Sequence, residues 1–96
     1  MDLASFRKSV GDAAPPKLPS AVQALWWDAK GDWHKAHECA QKQGDAVGAW
    51  VHAYLHRKEG DPSNAGYWYR RAGKSPATVS LGEEWDTIAA ALLAAS

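Results

Sequence analysis

The four histidines are the residues of this chain best suited to chemistry. His52 and His56 flank Ala53-Tyr54-Leu55, so on a helix they lie one turn apart on the same side. That spacing can bring two imidazoles to one metal ion. A turn at Gly44-Asp45 folds the preceding helix back antiparallel and sets His37 level with His52. A second turn at Gly60-Asp61 sets Tyr69 at the same level. The expected layer is His37, His52 and Tyr69, with His56 one turn away and Glu38 and Glu59 as neighbouring acids. His37, His52 and His56 are thus candidates for metal binding or acid–base catalysis. The competing reading is structural, with each imidazole hydrogen-bonded to tyrosine or carboxylate. No H-E-x-x-H string is present, because no glutamate stands between His52 and His56. His34, in the first turn of its helix, is expected to face water. Histidine titrates near neutrality, so any of these roles carries pH sensitivity.

The elements that must position these residues are all helical. Leu3, Phe6 and Val10 share one face of a short first helix that Asp2 can cap and Gly11 can end. Residues 11–19 hold three prolines and read as a connection. Ser20 with Gln23 makes a capping-box pattern for a helix over about 20–30, with Val22, Leu25, Trp26 and Ala29 inward. Gly31 stops that helix and Asp32 caps the next, over about 33–43, with Trp33, Ala36, His37 and Ala40 inward. Gly44-Asp45 repeats the device before a helix over about 46–59 that buries Val47, Trp50, Val51, Tyr54 and Leu55. Gly60-Asp61 repeats it again, with Pro62 at the first helical position and Ala65, Trp68, Tyr69 and Ala72 inward. After a connector containing Pro76, Ser80 and Glu83 form a second capping box for a helix over about 81–94. Trp85, Ile88, Ala89, Leu92 and Leu93 make its inward face. Nothing reads as a strand.

Two stretches are versions of one another. The shift that lays Ala24 on Ala53 also lays Gly31 on Gly60, Asp32 on Asp61 and Ala36 on Ala65. Such a repeat implies a stacked supersecondary unit. The expectation is an all-α single domain over residues 1–96. Two stacked antiparallel helical hairpins over 20–73 are flanked by a short N-terminal helix and a C-terminal capping helix. Residues 20–73 resemble tetratricopeptide-type helical repeats, with two units in place of a longer array. The strings GDWHKAHE, WVHAYLHRKEGD and NAGYWYRRAG resemble a family of short, uncharacterised bacterial proteins. That resemblance implies a helical fold and a bacterial cytoplasm, and brings no activity and no catalytic residues.

Stacked hairpins present the first helix of each pair on one surface. A groove there would be lined by Gln23, Trp27, Lys30, His52, His56 and Glu59, offering an aromatic face, imidazoles and one charge of each sign. It suits a peptide or small polar ligand. Trp26 and Trp27 point about 100° apart, so one of them must leave the core face. Tyr67 and Arg71 stand one turn apart and can stack, and the Arg fork matches carboxylate or phosphate. The alternative pairs Arg71 or Arg57 with Asp28, Glu59 or Glu84. Candidate ligand contacts are therefore Trp27, His37, His52, His56, Tyr67, Tyr69 and Arg71.

Composition bounds the function. Six tryptophans in 96 residues supply most of the large apolar surface, each worth about 150–250 Å² when buried. Eleven basic and eleven acidic residues balance to zero net charge, against the basic excess of a nucleic-acid binder. The single Cys39 precludes an internal disulfide, and its position amid a helix gives it no activating base. No apolar run reaches membrane-spanning length and the N-terminus lacks a signal-peptide core, so a cytoplasmic location is expected. No cofactor motif is present. A chain this short rarely encloses a water-excluding pocket alone, which favours a binding or scaffold module for a peptide, a protein or a small polar ligand. The alternative is a His-based metal- or ligand-dependent enzyme. The last helix is expected to dock on the stack, with homodimer formation through its apolar face as the other option.

Overall fold

The computed structural model describes residues 1–95, and every regular element among them is a helix. They are α1 (Leu3–Ser9), α2 (Ser20–Lys30), α3 (Trp33–Gln41), α4 (Ala46–Glu59), α5 (Pro62–Ala72) and α6 (Leu81–Ala95). The hairpins α2–α3 and α4–α5 stack through α4, which touches α2 and α3 on one side and α5 on the other. α6 lies across α2 and α4, and α1 rests on α6. No helix among the described residues is long and apolar enough to cross a membrane.

Local chemistry sets the junctions. Asp32, Asp45 and Asp61 each accept a hydrogen bond from the backbone N–H three residues on, closing the first turns of α3, α4 and α5. Such a cap contributes about 1 kcal/mol. Gly31 and Gly60 sit at φ 93° and 89°, a left-handed conformation that costs an L-residue about 1–2 kcal/mol. The expected copy at Gly44 differs: α3 ends at Gln41 and Gly44 has no positive φ. The α3–α4 turn depends on Gly48 instead. A Cβ there would stand 1.7 Å from the Gln43 carbonyl oxygen, so only glycine lets the turn lie against α4.

Ser80 caps α6 as its pattern implies, accepting from the Glu83 N–H at 3.1 Å. The Ser20–Gln23 box does not form. Pro19 occupies the cap position, Gln23 turns back to the Leu18 carbonyl, and the Ala21 N–H donates to Gln43 Oε1 at 2.8 Å. A side chain at the far end of the hairpin thus replaces the local cap.

The main core gathers Phe6, Val22, Leu25, Trp26, Val51, Leu55, Trp85 and Ile88. Trp26 and Trp85 each find an acceptor for the indole N–H, in Ser9 Oγ and the Leu25 carbonyl respectively. Ala29, expected inward, is exposed, and Asp28 is buried in its place. Two carboxylate networks make that tolerable. Asp28 accepts from the Tyr54 hydroxyl at 2.8 Å and the Lys58 ammonium at 2.9 Å. Glu84 accepts from Arg57 at 2.9 Å and from the Tyr69 hydroxyl. Burial and the adjacent carboxylates push both phenols up, so they remain donors. Trp85, Ile88, Ala89, Leu92 and Leu93 are buried, so the apolar face of α6 is covered within the chain rather than left for a second copy.

Candidate functional site

The histidines meet where α4 passes between α3 and α5. His37 projects from α3, and His52 and His56 from α4. One turn of helix separates the last two, and their rings stack at 4.8 Å with 21° between planes. His37 meets His52 edge-on, its Nε2 lying 2.9 Å from His52 Nε2, so in the apo chain one ring donates and the other accepts. One ligating nitrogen from each of His37, His52 and His56 lies within 4.8 Å of the others. His52 and His56 are 5% and 7% exposed, while His37 is half-buried and forms the open side.

Tryptophans wall the cluster. Trp33 stacks on His37 at 4.9 Å and anchors its indole N–H on the Leu55 carbonyl. Trp68 stacks on His52 at 3.9 Å with 13° between planes. The expected Tyr69 is absent from this layer: it turns toward α6, where its hydroxyl reaches Glu84. Adjacent helical residues diverge by about 100°, and a buried phenol requires a polar partner. Trp68, already placed on the inward face by its periodicity, takes the position beside His52.

Electrostatics favours neutral rings. Burial, reinforced by the neighbouring His37 and His56, pushes His52 down from 6.5 to about 4. Burial and then the charge of His56 lower His37 as well. Neutral imidazole is the metal-binding form. His56 Nδ1 lies 3.1 Å from Glu59 Oε1, the carboxylate–histidine arrangement that fixes a ring's orientation and leaves the other nitrogen as ligand. His56, Glu59 and Asp61 form a second potential metal-binding group at the more open end. Asn64 Nδ2 lies 3.4 Å from both ring nitrogens of His56.

Tetrahedral bonds of about 2.0–2.1 Å separate ligand nitrogens by about 3.3 Å. The 2.9 Å spacing of His37 and His52 needs only a slight opening to reach that value. The three ligating nitrogens lie within 4.8 Å of one another, so the wider separations must close toward that value before the imidazoles, whose donor chemistry suits a zinc-class ion, can share one.

The remaining candidates divide. Tyr67 is exposed and meets Trp68 edge-on at 5.2 Å, and Arg71 lies over both rings, so these two extend the aromatic wall. Trp27 is elsewhere, edge-on to Trp26 and covered by the Lys35 ammonium at 4.3 Å. The groove expected between α2 and α4 does not form with the expected lining: a cavity of about 440 Å³ there is bordered by Asp28, Ala29, Tyr54, Lys58 and Trp85 instead. Lys30 is held by the carbonyls of Val10 and Asp12, and Gln23 by that of Leu18. His52 borders a different concave surface, between the end of α3 and α5 with α4 as its floor. His34 is exposed, as expected. Cys39 is half-buried, and burial raises its thiol, which disfavours the nucleophilic thiolate.

No known protein family, curated protein or solved structure matches the chain.

Proposed function

We propose that this chain is a small helical binding module that holds one divalent transition-metal ion of the zinc class on His37, His52 and His56. The observation that carries the reading is the convergence of three imidazole nitrogens within 4.8 Å of one another, two of the rings being buried. Three nitrogen donors suit zinc and its neighbours, whereas magnesium and calcium require oxygen. The depressed affinity of His37 and His52 for protons removes proton competition near neutrality. Glu59, behind His56, supplies negative charge to offset the incoming cation. Three protein ligands leave a fourth position for water or an exchangeable ligand, on the side where His37 is half open.

Calorimetric titration of tag-free, chelator-treated protein tests this reading. One zinc per chain is expected, with no response to magnesium, and His52→Gln and His56→Gln should each abolish tight binding. Absence of zinc binding, or binding that both variants retain, overturns it.

A further inference from the structure

Arg71 differs from the cations that brace the fold. Arg57 is consumed by Glu84 and the Val79 carbonyl, Arg7 by Asp86, and Lys58 by Asp28. Arg71 gives one N–H to the Tyr67 hydroxyl at 3.0 Å, and its other N–H groups have no protein acceptor among the described residues. The guanidinium is nevertheless held in place. Its carbon lies 5.7 Å from the Tyr67 ring centre and 5.3 Å from that of Trp68.

This side chain borders a cavity of about 350 Å³ between the end of α3, the α3–α4 turn and α5. His52, Trp68, Gln43 and Asp45 contribute to the same wall. We infer that the cavity is a binding site for a small oxyanion, a carboxylate or phosphate group, clamped by the Arg71 fork. A planar guanidinium with unused parallel N–H donors matches two oxygens at once. Its attachment to two aromatic rings lowers the ordering cost that a flexible arginine would incur on binding. The volume, about 350 Å³, lies at the small end for ligand sites, which fits a metabolite-sized molecule. One face of Trp68 is covered by His52 and Arg71 lies over the ring, so the ligand does not depend on stacking there.

Asp45 sets the preference between anions. Its carboxylate is engaged by the Gly48 N–H and by Gln43 Nε2, yet keeps its negative charge. That charge repels a phosphate dianion more than a carboxylate monoanion. The site needs no metal ion, so it stands or falls separately from the zinc reading.

The test uses chelator-treated protein, with acetate and inorganic phosphate as probes and chloride at matched ionic strength as the control. NMR follows the Arg71 Nε–H and Trp68 Nε1–H resonances. Saturable shifts are expected with acetate, and weaker ones with phosphate. Arg71→Gln should weaken binding by about 10- to 100-fold, the loss of a charge-assisted bonded pair, while Arg71→Lys retains part of it. Arg71 is exposed, so neither change threatens folding. Tighter binding of phosphate than acetate, still lost in Arg71→Gln, supports the site and makes phosphate its ligand. Shifts no larger than those from chloride, or binding unchanged in Arg71→Gln, overturn the inference.

Discussion

Acidification of the metal-free chain probes the His cluster most sharply. In the folded state His52 takes a proton only near pH 4, against 6.5 for an ordinary imidazole. Between those values the unfolded chain binds more protons than the folded one, so stability falls as pH drops. It is constant above about pH 7, declines through the 6.5-to-4 window, and levels off below about 4 as far as this residue is concerned. Going from about pH 7 to 4.5, linkage gives a loss of about 2 kcal/mol. For a domain of this size that lowers Tm by about 8–16 °C. His37, shifted the same way, adds to the loss. The informative quantity is the difference between wild type and His52→Gln, which isolates this residue from every other group that responds to pH. Urea melts followed by tryptophan fluorescence across this range give it directly. The variant should start less stable and show a shallower decline. Parallel declines in the two proteins would refute the argument that His52 is buried as a neutral ring.

Three further outcomes follow from the same geometry. Glu59→Gln should weaken zinc binding by about 10- to 100-fold, as loss of a ligand's orienting partner does, while the half-exposed Glu59 leaves apo stability within about 0.5 kcal/mol in chemical melts. Gly48→Ala should cost about 3 kcal/mol or more, because the new methyl collides with the Gln43 backbone; an unchanged urea midpoint would contradict the turn geometry. Gln43→Ala removes the long-range cap on the Ala21 N–H and should cost about 1 kcal/mol in the same assay.

Much of the architecture was legible because it rests on local signals. Asp32, Asp45 and Asp61 cap helices where their spacing implies, and Gly31 and Gly60 end helices where a left-handed residue is required. Antiparallel level-matching also brought His37 to His52, since short turns leave little freedom in register. What failed depended on tertiary choice. Tyr69 and Trp68 differ by one helical step, and only the presence of Glu84 on α6 decides which of them turns away from the histidines. The cap on α2 comes from Gln43, which no local pattern around Ser20 encodes. The expected α2–α4 lining failed because Lys30 is taken by the Val10 and Asp12 carbonyls, Gln23 by the Leu18 carbonyl, and Trp27 lies under the Lys35 ammonium. The sequence left open whether Arg57 or Arg71 pairs with Asp28, Glu59 or Glu84; Glu84 takes Arg57 and leaves Arg71 bordering a cavity.

Anomalous diffraction at the zinc edge addresses the central claim most directly, using crystals of tag-free protein grown with one equivalent of zinc. The account predicts a single strong peak about 2.0–2.1 Å from one nitrogen each of His37, His52 and His56. A peak elsewhere on the surface, or no peak while the His37–His52 hydrogen bond persists, would contradict it.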